Sequence, residues 1–187
     1  MLAGIREFIR KHHLDSLKDV AIFIIITLVI HLVWKLWQTQ FNYAPITDFM
    51  YGLMGMMAKE VYRESVWMIA GMYDIVRVDE TMYIYFQDGD IMYVTRGCSG
   101  LKQMIQFALL MLVFPGPWKK KLWFIPLGIV IMHLTNLFRM VGLGVIMNNW
   151  PEHWHFSHDY IFRPLFYLVI FLLWVWWVER MRQKTQE

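Results

Sequence analysis

The sequence predicts an all-α integral membrane protein of about four transmembrane helices, with an outer amphipathic helix and a small extracytoplasmic β-hairpin. Apolar residues make up 58% of the 187 residues, whereas soluble domains contain about 45–50%. Ten tryptophans are typical of a chain that meets the membrane–water interface. The net charge of +3 comes from short Lys and Arg clusters beside apolar runs. This pattern indicates membrane topology, and we expect no nucleic-acid partner.

The first 37 residues predict a basic interfacial segment followed by a membrane anchor. Residues 1–18 are basic and amphipathic, which predicts a cytoplasmic helix lying on the membrane surface. Residues 20–37 are almost wholly apolar and about long enough to cross the hydrocarbon core. This run has no small-residue cleavage site and ends in Trp34 and Trp37. We therefore predict an uncleaved anchor rather than a signal peptide.

Residues 38–97 are predicted to form an extracytoplasmic or interfacial insertion. Its one hydrophobic candidate for a span, Met50 to Met72, is interrupted by charged residues such as Lys59 and Glu64, so we predict an amphipathic helix there. Asp88-Gly89 then separates two runs rich in β-branched and aromatic residues. This pattern predicts a β-hairpin with strands at 82–86 and 91–95.

Apolar runs predict three further spans, at residues 99–114, 122–147 and 161–178. Basic clusters lie before the first span, between the second and third, and after the fourth. The positive-inside rule assigns all three clusters to the cytoplasm. Both termini are therefore expected in the cytoplasm and the polar loop 148–160 outside, within a single membrane-embedded domain, 1–187.

Cys98 is the only cysteine, which excludes an intramolecular disulfide, a dithiol redox site and a Cys-rich zinc cluster. A free cysteine is commonly a small buried hydrophobe. Cys98, however, is predicted at the start of a helix, where the helix dipole favours the thiolate. Lys102 and Arg96 make the local field positive, and Gly97 and Gly100 let another backbone approach closely. These features favour a reactive thiol.

Arg139 lies within the predicted third span, where a charge costs several kcal/mol unless it faces a protein interior or a wet cavity. One alternative is that Arg139 extends to the outer headgroups. Asn136 and His133 share its helical face at three-residue spacing, and three stacked polar groups favour a polar cleft. In such a cleft Asn136 would position the guanidinium.

His158 follows the outer loop and could serve as a general base at the same membrane depth as Cys98 and Arg139. On spacing alone, a lone loop histidine is more simply explained as solvated. His133 stays open as an alternative base.

A metal site is a further alternative, because His153, His155, His158 and Asp159 lie close together in the sequence. His-x-His with a third histidine is a weak signal, and no second ligand-bearing element is evident. We therefore expect no metal and no organic cofactor.

The motifs around these residues resemble the exosortase/archaeosortase family. They are Cys98-Ser99-Gly100-Leu101 at the head of one span, Asn136-Leu137-Phe138-Arg139 in the next, and His158 before the last. The order, the spacing across successive spans and the outward topology are all similar, over about residues 90–180.

The resemblance implies a membrane-embedded cysteine transpeptidase of the bacterial cytoplasmic membrane, with a site built from Cys98, Arg139 and His158. The residues expected to support that site are Asn136, Lys102, Ser99 and Gly100. Family substrates are exported proteins with a C-terminal sorting signal, which consists of a short motif, a transmembrane helix and a basic cluster. The surrounding membrane lipids are the other expected partners.

Two functions follow as expectations. The first is cleavage of sorting signals at the outer face of the membrane through a thioester intermediate, with transfer of the product to an acceptor. The second is a non-enzymatic scaffold or assembly subunit that binds partner transmembrane helices. A scaffold needs no reactive thiol beside an intramembrane arginine, so the sequence favours the enzyme.

Overall fold

The structure, a computed structural model, describes residues 15–39, 44–78, 80–87 and 89–183. Most of the predicted interfacial helix 1–18 lies outside these residues. Within them the chain is mainly helical. Its five long helices are α1 (Asp15–Thr39), α2 (Ala44–Ala70), α3 (Leu101–Val113), α4 (Trp118–Asn149) and α5 (Arg163–Gln183).

Three segments of the described chain are long and apolar enough to cross a membrane, namely Lys18–Thr39, Trp118–Asn149 and Pro151–Arg180. They contain the predicted spans 20–37, 122–147 and 161–178. The chain is therefore a membrane protein with three candidate spanning helices.

The predicted second span is shorter than the sequence suggests. Helix α3 has 13 residues and is about 20 Å long at 1.5 Å per residue, against about 30 Å of hydrocarbon. It begins at Leu101 rather than Ser99 because Gly100 adopts a left-handed conformation, with φ of 74°. It ends before Pro115-Gly116-Pro117, a sequence that cannot continue a helix. The total of four spans stays a prediction.

The 38–97 region contains helix α2 and a three-stranded antiparallel sheet. Helix α2 begins six residues earlier than expected and ends two earlier. The strands are β1 (Ile75–Val78), β2 (Tyr83–Phe86) and β3 (Ile91–Tyr93), in the order β1-β2-β3. Strands β2 and β3 lie inside the two predicted hairpin ranges, with Ile84 opposite Met92. Strand β1 was not predicted, although its run of Ile and Val residues is typical of a strand.

A first hydrophobic core joins α1, α3, α4 and α5 and contains Phe107, Phe124, Phe166 and Trp174. Helices α3 and α4 pack closely in it because Gly128 has no side chain. A Cβ atom at this position would overlap the Phe107 ring. Much of α1 remains outside this core, with large apolar residues exposed along its length. Such a surface suits contact with lipid.

A second hydrophobic core joins α2, the sheet, α4 and the segment that precedes α5. Helix α4 contributes to both cores, Met132 to the first and Met140 to the second. Between these two methionines it carries Asn136 and Arg139, both buried. The polar residues of α4 therefore lie at the boundary between the two cores.

Candidate active site

Cys98 lies in a short 3₁₀ turn, Arg96–Ser99, that directly follows the sheet. Its N–H donates to the carbonyl of Thr95 at 2.9 Å. Gly100 then separates the turn from α3 with its left-handed φ of 74°, a conformation that other residues rarely adopt. A side chain at Gly100 would also approach Asn136 to 3.0 Å. Cys98 therefore precedes the helix by three residues, rather than opening it as the sequence predicts.

Asn136 holds the Cys98 turn against α4. It is fully buried, and its Nδ2 donates to the carbonyl of Cys98 at 2.7 Å. The amide was expected to position Arg139, so its contact with the turn is a correction to that expectation. Among the described residues its Oδ1 has no hydrogen-bond partner. A buried acceptor without a partner costs about 1–3 kcal/mol. The Oδ1 of Asn136 can therefore still accept a hydrogen bond near the Cys98 turn.

Arg139 connects the turn to the segment before α5. Its side chain is 6% exposed, so it does not extend to the headgroups. Its Nη2 donates to Nε2 of His158 at 2.9 Å, and its positive charge favours the thiolate form of Cys98. The guanidinium carbon lies 5.9 Å from the ring centroid of Phe166. Arg139 thus contacts a base candidate and attracts the charge of a nucleophile candidate.

The contacts of His158 determine which of its nitrogens carries the proton. Arginine has only donors, so Nε2 accepts from Arg139 and the proton lies on Nδ1. Nδ1 in turn donates to Oδ1 of Asp159 at 2.7 Å. The ring also stacks on Trp154, with centroids 5.0 Å apart and planes 11° apart. With its side chain 19% exposed, His158 is held in one orientation and is not simply solvated.

Asp159 is a site residue that the sequence reading considered only as a metal ligand. Its Oδ1 accepts a hydrogen bond from Nδ1 of His158 and also lies 3.3 Å from Nη1 of Arg163. His158 and Asp159 belong to a π-helical stretch, Ser157–Phe162, a conformation that is frequent at functional sites. A carboxylate in this position fixes the imidazole tautomer and stabilises the charged ring when it gains a proton. The available signal in the sequence was Arg163, which follows Asp159 at the four-residue spacing of a helical ion pair.

The other predicted supporting residues lie around the Cys98 turn. The Ser99 side chain is buried, and its Oγ accepts from the N–H of Leu101 at 3.3 Å. Lys102 has its electrostatic neighbours in His31 of α1 and in Arg163. Ser99 therefore caps the start of α3, while Lys102 adds positive charge near the Asp159 end of the cluster.

Two residues at the start of the turn have contacts that the sequence did not indicate. Thr95 Oγ1 lies 3.6 Å from the sulfur of Cys98, where a hydroxyl can donate to a thiolate. The guanidinium of Arg96 lies 5.8 Å from the ring centroid of Tyr51 on α2. Arg96 thus engages α2.

His133, the alternative base, has a different partner. Its Nε2 lies 2.8 Å from Oε2 of Glu64 on α2. Although His133 lies on the same helix as Asn136 and Arg139, it pairs with a carboxylate of the insertion. The structure brings His158, and not His133, against Arg139.

The loop histidines do not form a metal cluster in the part of the chain that the structure describes, where no group of three or more His, Cys, Asp or Glu side chains could hold a metal ion. His153 lies 3.1 Å from Glu152, and His158 is occupied by Arg139 and Asp159. The side chains that the sequence groups together therefore have separate partners.

Comparison with known proteins identifies the family. A family model described as transmembrane exosortase (Exosortase_EpsH) matches residues 17–177. No curated protein and no solved structure matches the chain. The matched residues include most of the chain and the whole cluster described above, from Thr95 to Arg163. The chain belongs to the transmembrane exosortase family.

Proposed function

We propose that this protein is a membrane-embedded cysteine transpeptidase that cleaves C-terminal sorting signals of exported proteins and transfers the product to an acceptor. Family membership supports a transpeptidase-type function in general. The observation that carries the specific proposal is the hydrogen bond of one buried guanidinium, Arg139, to the His158 imidazole, on the same helix as the Asn136 amide that holds the Cys98 turn. A scaffold has no need of this arrangement.

In the proposed first half-reaction, the scissile carbonyl oxygen draws the donors of Arg139 away from His158, which frees Nε2 to take the proton from the Cys98 thiol. The thiolate then attacks the scissile carbonyl carbon, and the carbonyl oxygen becomes an oxyanion. Arg139 stabilises this charge as it forms. The imidazolium gives its proton to the departing amine, and a thioester with Cys98 remains.

The second half-reaction uses the same groups in reverse. His158 accepts a proton from the acceptor nucleophile, which attacks the thioester carbonyl while Arg139 again binds the oxyanion. The Cys98 sulfur leaves and regains its proton from His158. Asp159 takes no proton in this scheme. It holds the Nδ1–H and stabilises the imidazolium present between the proton transfers.

The supporting residues maintain this geometry. Asn136 fixes the carbonyl of Cys98 and Gly100 allows the close approach of α4. Lys102 adds positive charge. No metal or organic cofactor enters the scheme. Every bond that forms joins the substrate's acyl carbon either to the sulfur of Cys98 or to the acceptor.

The proposed orientation puts this site at the outer face of the cytoplasmic membrane, with both termini inside. It rests on the three basic clusters and the positive-inside rule. Reporter fusions after Gln38, Lys120, Pro151 and Glu187 should report outside, inside, outside and inside. An outside signal at Lys120 would contradict the proposal, because Cys98 would then face the cytoplasm.

The proposed activity is tested by Cys98→Ala in the native host, followed by membrane proteomics. We expect uncleaved precursors to accumulate, each with a C-terminal transmembrane helix and basic cluster, because the variant cannot form the thioester. His153→Ala is the control, since His153 contacts Glu152 and lies outside the cluster. Unchanged precursor levels in the Cys98→Ala strain, with the protein present at wild-type amount, would favour the scaffold function instead.

A further inference from the structure

We propose that a cavity at the opposite end of the bundle binds an anionic phospholipid. The cavity has a volume of about 330 Å³ and lies between the start of α4 and the end of α5. This size lies at the lower end of the range for small-molecule sites. We call it the basic–aromatic pocket. It is lined by Lys119, Lys120, Trp123, Phe124, Trp176, Trp177 and Arg180.

The aromatic residues give the pocket an apolar wall. The Phe124 ring centroid lies 5.3 Å from that of Trp176 and 5.0 Å from that of Trp177. Trp177 is further fixed by donating from Nε1 to the carbonyl of Pro115 at 3.3 Å. Rings held by one another form a preformed surface for the glycerol and upper acyl chain of a lipid.

The charged residues give the pocket its preference for an anion. Three cations, Lys119, Lys120 and Arg180, line it. The guanidinium carbon of Arg180 lies 5.3 Å from the Trp176 ring centroid, which keeps its charge beside the aromatic wall.

The neighbouring Lys121 has a different role from the cations that line the pocket. Its Nζ donates to the carbonyls of Leu112 at 2.9 Å and Phe114 at 2.6 Å. Lys121 therefore stabilises the end of α3 and is not among the residues that line the pocket.

The depth of the pocket decides what kind of anion occupies it. Trp118 begins one candidate span and Arg180 ends another, so the pocket lies where headgroups meet hydrocarbon. A phosphodiester with attached acyl chains fills both its charged and its apolar parts, whereas a free anion fills only the first. Basic pockets between transmembrane helices bind anionic headgroups in this way. Arg139 lies about 30 Å further along α4, so this site is distinct from the proposed reaction.

The test places the full-length protein in nanodiscs made of equal parts phosphatidylglycerol and phosphatidylcholine. In one sample the phosphatidylglycerol carries brominated acyl chains, and in the other the phosphatidylcholine does. Bilayer composition is then the same, and bromine quenches only nearby tryptophans. We expect stronger quenching by brominated phosphatidylglycerol, because Trp123, Trp176 and Trp177 line the pocket.

Variants assign the preference to the pocket. The double variant Lys119→Gln, Arg180→Gln should reduce the preference for phosphatidylglycerol, by about fivefold for each cation removed. The charge-conserving double variant Lys119→Arg, Arg180→Lys should retain it. The matched control Lys18→Gln, Lys59→Gln removes the same charge from exposed positions outside the pocket and should also retain it.

Three results would overturn the proposal. The first is equal quenching by the two brominated lipids in the wild type. The second is an unchanged preference in Lys119→Gln, Arg180→Gln. The third is loss of the preference on adding inorganic phosphate at constant ionic strength, which would assign the pocket to a free anion.

Discussion

Arg139→Lys should leave the protein inserted in the membrane at normal amounts while substrate cleavage falls by about a hundredfold to a thousandfold. Lysine keeps the charge but loses the planar fork of donors with which Arg139 contacts His158 and, in the proposed mechanism, the oxyanion. The measurement is the cleavage rate of a precursor identified by its accumulation in the Cys98→Ala strain.

The matched control for this substitution is Arg96→Lys. Arg96 belongs to the same turn as Cys98 but lies over the Tyr51 ring on α2, so its replacement should change the rate little. If Arg139 only balanced charge within the membrane, lysine would serve nearly as well. Near wild-type cleavage by Arg139→Lys would therefore remove Arg139 from the chemistry.

Asp159→Asn should reduce cleavage by about a hundredfold or more. Asp159 accepts a hydrogen bond from the Nδ1–H of His158, which leaves the Nε2 lone pair directed at Arg139. An asparagine can donate to Nδ1 instead, and the ring proton then moves to Nε2. A protonated Nε2 faces the donors of Arg139 unfavourably and cannot take the proton of the thiol. The corresponding change in a well-studied serine protease costs about ten-thousandfold. We expect a smaller loss because the Asp159 side chain is 42% exposed.

Glu152→Gln provides the control within the same segment. Glu152 also contacts the histidine that follows it, His153, at 3.1 Å, but this pair is well exposed. We expect Glu152→Gln to cleave at the wild-type rate. Equal effects of the two substitutions would mean that Asp159 acts only on local structure. A shift in the pH profile of the residual Asp159→Asn activity, which loss of packing alone would not cause, would support its action through His158.

The core of the candidate site could be predicted from sequence because its members obey simple rules. An arginine inside an apolar span needs a polar partner, and Arg139 has His158 at 2.9 Å. The glycine after the Cys98-Ser99 pair indicates a turn or a close approach, and Gly100 has both a left-handed φ and Asn136 against it. Long apolar runs likewise located α1, α4 and α5.

The remaining details depend on contacts that no local pattern encodes. Asn136 shares a helical face with Arg139 but donates to Cys98, 38 residues away in sequence, because α4 packs against the turn before α3. Neighbouring residues in a helix usually face different directions, so the pairing of His158 with Asp159 could not be read from their adjacency. The predicted span 99–114 is longer than α3 by two residues at its start, where Gly100 adopts a left-handed conformation, and by one residue at its end, where Phe114 is already extended.

The central claim is that Cys98 carries the acyl intermediate, and mass spectrometry of the intact protein tests it most directly. The purified protein is mixed with its precursor substrate in the absence of acceptor, the reaction is quenched in acid, and the mass of the protein is measured. The mechanism predicts a mass increase equal to the upstream cleavage product, as its free acid, less one water. This adduct should be located on the Cys98 peptide, removed by neutral hydroxylamine and absent from Cys98→Ala. Cleavage of the precursor by Cys98→Ala, or by the wild type through an adduct on another residue, would contradict it.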